Sequence, residues 1–320
     1  MMYTYNLPAV KNYRFDLNQA KELKAFLREY GWVVIKNIAT TTEAETIIQQ
    51  QWDFIEHLGT GVNRNKTETW YQGGFWPGNI SSGQVLAPYV GQSAPAWTAR
   101  QLLKVKAVFA LLWGTSNLKV SFDTWNVVRP YTLASNRTKP LPPHIDQNPN
   151  TKPNLECYQG LLNLKPSQIE DGGTMLYSKS HTFFKETTKY ANKTGDWVII
   201  SGDLLKKCYQ TMVCPSLEVG DMLVWDSRLI HGVTPPQKGF KDHKGCKEFR
   251  RSVVYVCMTP ISKIKDKVLK LRKEYYEKGI TTNHWPSEVI KKKLTPRYPR
   301  KIPYKETKYQ KVKLKDESLV

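Results

Sequence analysis

Hydrophobic residues recur at helical spacing in the N-terminal part of the chain. Residues 16–31 place apolar side chains on one face and end at a glycine, which predicts a first helix. Residues 32–38 (WVVIKNI) follow as a short β-branched run that is typical of a strand. A second helix is predicted over residues 40–59, with Thr42 and Glu45 as its T-x-x-E capping box.

The pattern changes after the second helix. Residues 70–116 are rich in Gly, Pro and Trp and predict irregular structure, except for a helix over residues 95–114. Between residues 118 and 258, seven short apolar or alternating runs are separated by Gly, Pro, Asn and Asp. Many short strands at such spacing predict a mainly β core, a sandwich or jelly roll. Helices precede the strands rather than alternating with them, which argues against a parallel α/β sheet.

The C-terminal end returns to a helical pattern. Residues 261–279 carry an apolar stripe and predict an amphipathic helix. The Lys- and Pro-rich residues beyond it are interpreted as an extended, partly disordered tail. We therefore predict one domain over residues 1–260, with flanking N-terminal helices, and a basic helix and tail over residues 261–320.

Composition excludes several protein classes. Ten tryptophans among 320 residues argue for a folded chain, and no apolar run is long enough to span a membrane. The N-terminus has no apolar segment of the secretory type. Five cysteines, an odd number without metal-type spacing, are interpreted as reduced thiols. These features predict an intracellular protein that is not secreted.

The formal net charge is +20, of which residues 261–320 contribute +11. Long-range attraction to polyanions is one consequence of such a charge, and weak non-specific binding through the basic tail is one hypothesis. A simple contribution to solubility is the alternative.

Three residues have the types and positions of metal ligands. In the segment LPPHIDQNPN, His144 and Asp146 are two residues apart, so an extended backbone places both side chains on one side. His231 follows an apolar strand in VGDMLVWDSRLIH. Two histidines and one carboxylate suit non-heme Fe(II) and leave coordination positions open for a 2-oxo acid and O₂. Two alternatives are ordinary buried histidines and an Asp146 that caps a turn.

Four segments in this order resemble the phytanoyl-CoA dioxygenase-like family of Fe(II)/2-oxoglutarate-dependent oxygenases. They are HID at 144–146, DGGTMLYSKSH at 171–181, GDMLVWDSRLIHG at 220–232 and RRS at 250–252. The resemblance implies a double-stranded β-helix (jelly-roll, cupin-like) fold. It also implies that decarboxylation of 2-oxoglutarate is coupled to oxidation of a second substrate. Lys179 stands where the family often has glycine, at a position in a turn.

The resemblance also suggests which residues bind the co-substrate. An Arg-x-Ser pattern in the family favours Arg250 and Ser252 over Arg251 as the ligands of the distal 2-oxoglutarate carboxylate. Gln159 and Asn163 alternate along one predicted strand and are further candidates for contact with 2-oxoglutarate or substrate. Trp76 and Trp125 are candidates for a substrate pocket, although aromatic residues are more often core.

The sequence thus predicts an Fe(II)- and 2-oxoglutarate-dependent dioxygenase acting on a small-molecule or acyl substrate. The carboxylate of Asp146 favours hydroxylation, because halogenating relatives replace it with a small residue. Two alternatives remain: a non-catalytic jelly-roll binding protein whose basic tail binds polyanions, and a nucleic-acid-modifying member of the same superfamily.

Overall fold

The computed structural model of the protein describes residues 12–71, 76–79, 82–132, 137–237, 239–243, 245–294 and 308–320. Within these ranges the α-helices are α1 (Ala20–Tyr30), α2 (Thr41–His57), α3 (Ala94–Gln101), α4 (Leu103–Trp113), α5 (Gly202–Cys208) and α6 (Asp266–Glu277). The strands are β1 (Arg14–Phe15), β2 (Trp32–Ile35), β3 (Leu118–Val120), β4 (Trp125–Val128), β5 (Leu141–Ile145), β6 (Tyr158–Asn163), β7 (Gly173–Tyr177), β8 (Val198–Ile199), β9 (Met212–Val213), β10 (Met222–Asp226), β11 (His231–Thr234) and β12 (Arg251–Pro260).

The strands form two sheets. The larger has the order β1-β2-β10-β6-β12-β3, with β4 also paired to β12, and the smaller has the order β8-β5-β11-β7-β9. Apolar side chains from both sheets meet in one buried cluster that includes Leu161 and Val253 of the larger sheet and Leu176 of the smaller. This arrangement confirms the predicted jelly-roll class with flanking helices.

The N-terminal helices follow the sequence pattern with small shifts. The capping box of the second helix lies two residues earlier than predicted, because it is formed by Thr40 and Glu43 rather than by Thr42 and Glu45. The single helix predicted over residues 95–114 is two helices, because Leu102 leaves the helical conformation at ψ 128°. Both helices pack on β12, so they cover the outer face of the larger sheet.

The C-terminal residues pack against the rest of the chain. Arg272 on α6 is fully buried and donates to the carbonyls of Val120, Pro286, Leu319 and Val320. Three apolar side chains of the last segment are also buried in the main core: Leu314, Leu319 and Val320. Residues 308–320 are therefore part of the folded core, which corrects the interpretation of the end of the chain as an extended tail. The predicted domain boundary at residue 260 does not coincide with a break in packing.

None of the described helices has the length and apolar character needed to cross a bilayer.

Candidate active site

The strands of the smaller sheet bring His144 and His231 together. His144 lies near the end of β5 and His231 begins β11, and the two residues are direct partners across this antiparallel pair. Their imidazole ring centroids are 4.4 Å apart. Asp146 follows β5 by one residue, so the alternation of the strand places its carboxylate on the same side as the His144 ring.

The three side chains form a compact donor set. His144 Nε2 is 3.7 Å from Asp146 Oδ1, and His231 Nε2 is 3.3 Å from Asp146 Oδ2. One ligand atom from each residue lies within 4.8 Å of the other two. Two imidazole nitrogens and one carboxylate at this spacing can share a single ion, and they leave coordination positions open.

Backbone carbonyls fix the tautomers that a metal site needs. His144 Nδ1 lies 2.7 Å from Pro142 O, and His231 Nδ1 lies 3.0 Å from Leu229 O. Each Nδ1 therefore carries the proton that it donates, and each Nε2 presents a lone pair toward Asp146.

The expected charge states also suit a metal. Burial and the neighbouring His231 lower the pKa of His144 to about 4, so this imidazole is neutral near pH 7. Burial opposes ionisation of Asp146, but the adjacent imidazoles hold the pKa of this carboxyl well below its usual range. A neutral imidazole and an ionised carboxylate are the forms that bind metal ions.

Gln159 contacts the acidic member of this triad. Its Nε2 donates to Asp146 Oδ2 at 2.9 Å, and its Oε1 accepts from Trp225 Nε1 at 2.9 Å. Gln159 and Trp225 are both 5% exposed. Gln159 therefore orients the carboxylate of Asp146, a role that the strand pattern alone did not indicate.

Arg251, rather than Arg250, faces the interior between the sheets. Arg251 is buried and donates to Asn126 Oδ1 at 3.3 Å and to Thr174 Oγ1 at 3.2 Å. Arg250 points to the other side of β12, where it pairs with the buried Asp171 and with Asp242. The position of Arg250 thus does not support its predicted role, because its guanidinium already has two carboxylate partners.

Two other predicted co-substrate ligands lie away from the triad. Ser252 shares the outer face of β12 and donates to Gln51 Oε1 on α2 at 2.6 Å, with both residues fully buried. Asn163 is the last residue of β6, and its side-chain amide donates to the carbonyls of Lys165 and Glu218. The sequence identified both strands correctly. It did not show that Ser252 lies on the outer face of β12, or that the side chain of Asn163 turns toward Lys165 and Glu218.

The two predicted substrate-pocket tryptophans are core residues. Trp76 is 3% exposed and lies within 6.5 Å, centroid to centroid, of Trp52, Trp70 and Phe249. Trp125 is fully buried and donates from Nε1 to Ser93 Oγ at 3.0 Å. Neither lines the cavity that contains the triad, which corrects both assignments.

That cavity has a volume of about 270 Å³ and opens beside the triad. Its walls include several residues that sequence reasoning did not select: Gln84, Asp123, Asn126, Thr174, Trp197, Trp225, Tyr255, Cys257, His284 and Lys292. Thr174 and Tyr255 lie on β7 and β12, the strands that pair with those of His231 and Gln159, so strand alternation could have indicated them. No local sequence pattern marks His284 or Lys292. A second cavity of about 340 Å³ lies elsewhere, between α2 and residues 308–312.

Comparison with known proteins gives relatives in sequence and in structure. No family model matches the chain. It is 27% identical over 277 residues to the "Ava biosynthesis cluster protein O" of Aspergillus versicolor, covering 82% of this chain and 84% of that protein. It is 25% identical over 248 residues to a "Putative phytanoyl-CoA dioxygenase" of Dictyostelium discoideum, covering 65% and 68%.

Solved structures share the fold. EctD from S. alaskensis with bound Fe has a TM-score of 0.52 at 13% identity, covering 77% of this chain and 78% of EctD. A further EctD structure holds 2-oxoglutarate and 5-hydroxyectoine, and its TM-score is 0.50 at 12% identity, covering 89% and 86%. The chain is therefore similar in sequence to a protein named a putative phytanoyl-CoA dioxygenase and shares the fold of EctD, in agreement with the resemblance noted in the sequence.

Proposed function

We propose that this protein is an Fe(II)- and 2-oxoglutarate-dependent dioxygenase that hydroxylates a small-molecule or acyl substrate. The observation that carries the proposal is the convergence of His144, Asp146 and His231 at one cavity, with both Nε2 atoms directed at the carboxylate. These three residues would hold Fe(II). When bound, the metal with 2-oxoglutarate and O₂ supplies C–H oxidation, with release of succinate and CO₂.

Arg251 is the residue best placed to hold the distal carboxylate of 2-oxoglutarate. Its hydrogen-bond partner Thr174 lies opposite Val233, two residues along β11 from His231. Two strand steps span about 7 Å, which suits a short dicarboxylate with one end near the triad. The guanidinium offers a planar, permanently charged grip, and the Thr174 hydroxyl can add a hydrogen bond to the same carboxylate.

The other cavity residues would orient the reactants and limit access of water. Gln159 holds Asp146 in one orientation, so the ligand set is preorganised before metal binding. Three aromatic side chains line the cavity and make part of its surface apolar: Trp197, Trp225 and Tyr255. The relative in a biosynthesis cluster and the EctD complex with 5-hydroxyectoine support a small-molecule substrate over a nucleic acid. An intact triad favours turnover over a purely binding role.

The test is anaerobic reconstitution with Fe(II) and 2-oxoglutarate, followed by addition of O₂ and a screen for substrate-stimulated succinate. We expect a visible Fe(II)–2-oxoglutarate absorption band in the wild type and its loss in Asp146→Ala, because that variant lacks the carboxylate ligand. A wild-type protein that binds Fe(II) and 2-oxoglutarate no better than Asp146→Ala would contradict the proposal.

A further inference from the structure

A hairpin beyond the jelly roll completes one wall of the cavity. Thr282 and Lys291 pair as an antiparallel bridge, and the backbone of Lys292 donates to the carbonyl of Thr281. The hairpin is fixed to the β-core where the backbone of Thr282 donates to Phe122 O at 2.8 Å. Its Glu288 forms an ion pair with Lys152 at 2.8 Å. The hairpin is therefore anchored on two sides rather than loosely apposed.

His284 on this hairpin has an unused polar atom. Its side chain lines the cavity together with the triad. Its Nε2 is buried, and none of the described residues gives it a hydrogen-bond partner. Buried polar atoms are nearly always paired, so an orphaned one beside a reaction site indicates a partner supplied by a ligand.

Lys292 adds a cation to the same wall. Its ammonium pairs with Asp123 Oδ1 at 2.7 Å, and its side chain is 22% exposed. Asp123 Oδ1 also accepts from the backbone of Thr124, so the carboxylate is held against the start of β4. An ammonium has three donors, and the pairing with Asp123 uses one of them. The remaining donors are available to an oxygen in the cavity.

An aromatic side chain, Trp197, also lines the cavity. Trp197 is 51% exposed, and its ring centroid lies 5.6 Å from that of His144. A flat apolar surface beside a metal ligand suits the carbon skeleton of a small molecule. The cavity of about 270 Å³ must also hold 2-oxoglutarate, so only a small molecule or the end of a larger one fits beside it.

We propose that His284 and Lys292 bind an anionic oxygen, such as a carboxylate, of the prime substrate, while its carbon skeleton lies along Trp197. This inference rests on the proposed function and deepens it by naming a substrate class. The net charge of +20 supports it, because a strongly basic protein attracts anionic ligands at long range. Neither residue serves the metal or the proposed Arg251 contact, so the hairpin would select the substrate.

The experiment uses the full chain with Fe(II) and 2-oxoglutarate under anaerobic conditions. Small aliphatic and aromatic carboxylic acids are titrated against their primary amides, and the shift of the visible absorption band reports binding near the metal. We expect at least one acid to bind about tenfold more tightly than its amide, the effect of one charge-assisted hydrogen bond. Lys292→Met and His284→Leu should abolish this preference and leave Fe(II) and 2-oxoglutarate affinity unchanged.

Three control variants distinguish loss of the proposed substrate contact from a general effect of charge or of misfolding. Lys293→Met removes the same charge from an exposed position of the hairpin and should retain the preference for the acid. Lys292→Arg and His284→Gln keep a donor and should retain most of it, even if the apolar variants fold poorly. Equal binding of acids and amides, absence of any acid that shifts the band, or an equal loss in Lys293→Met would overturn the inference. Failure of the band itself in the wild type would instead refute the proposed function.

Discussion

Arg250 and Arg251 are adjacent in sequence, but their guanidinium groups lie on opposite faces of the larger sheet. Arg251 spans the interior from Asn126 on β4 to Thr174 on β7, whereas Arg250 pairs outside it with Asp171 and Asp242. Arg251 is therefore placed for the proposed co-substrate contact, whereas Arg250 belongs to a structural ion pair. Substituting each in turn distinguishes these roles.

We expect Arg251→Ala to raise the apparent 2-oxoglutarate requirement at least about a hundredfold. The physical reason is loss of a charged hydrogen-bonding partner worth roughly 3 kcal/mol. Titration of 2-oxoglutarate by the visible absorption band measures this without knowledge of the substrate.

Arg250→Ala is the matched control for this prediction. It should change 2-oxoglutarate affinity little but lower the free energy of unfolding by about 1–3 kcal/mol, because the buried Asp171 loses its partner. The opposite ranking of the two variants in 2-oxoglutarate titrations would restore the Arg250 assignment.

Gln159→Leu should weaken Fe(II) binding about 10- to 100-fold, since it removes the hydrogen bond that orients Asp146. Trp225→Phe should have a smaller effect in the same direction, because it frees the far end of Gln159. Gln84 lines the same cavity but donates to Thr124 instead of to a triad residue. Gln84→Leu therefore serves as the control. Equal Fe(II) affinities of Gln159→Leu and Gln84→Leu would rule out the positioning role.

Deletion of residues 308–320 should destabilise the protein. It removes the buried side chains of Leu314, Leu319 and Val320 and two carbonyl acceptors of Arg272. Each buried aliphatic side chain contributes about 1.5–3 kcal/mol, so thermal unfolding should shift down by at least about 5 °C. Lys313→Ser, an exposed substitution in the same segment, should leave the transition unchanged. An unaltered melting temperature on deletion would show that these residues do not contribute to the core.

The pKa of His144 predicts a pH dependence of the metal-free protein. Its folded-state pKa is about 4 against an ordinary value of 6.5, so the unfolded chain binds the extra proton first as pH falls. The contribution to stability is complete above pH 6.5 and is lost as pH falls toward 4. Depression of the Asp146 pKa acts in the same direction below pH 3.8. Denaturant titrations across this range should show less pH dependence in His144→Gln than in the wild type.

The sequence was sufficient for the fold class, and it selected the three residues that the structure brings together, His144, Asp146 and His231, whose role as metal ligands stays a prediction. Strand alternation and the order of the segments can be read from the sequence alone. The structure agrees with them, because His144 and His231 are direct partners across β5 and β11. Hydropathy does not identify the inner face of β12, because both of its faces are apolar and buried. The Arg-x-Ser pattern therefore decided the prediction of Arg250, whereas the structure turns Arg251 to the interior. His284 and Lys292 could not be found, because a non-local hairpin brings them to the cavity. Polyanion binding by the basic residues of 261–320 stays a prediction.

The most direct measurement of the central claim is an anaerobic Fe(II) titration of the wild-type protein and of the double variant His144→Ala/His231→Ala. We predict one Fe(II) per chain in the wild type and an affinity lower by orders of magnitude in the double variant, with the fold retained, because two of three ligands are removed. A folded double variant that binds Fe(II) as tightly as the wild type would contradict the assignment of the metal site.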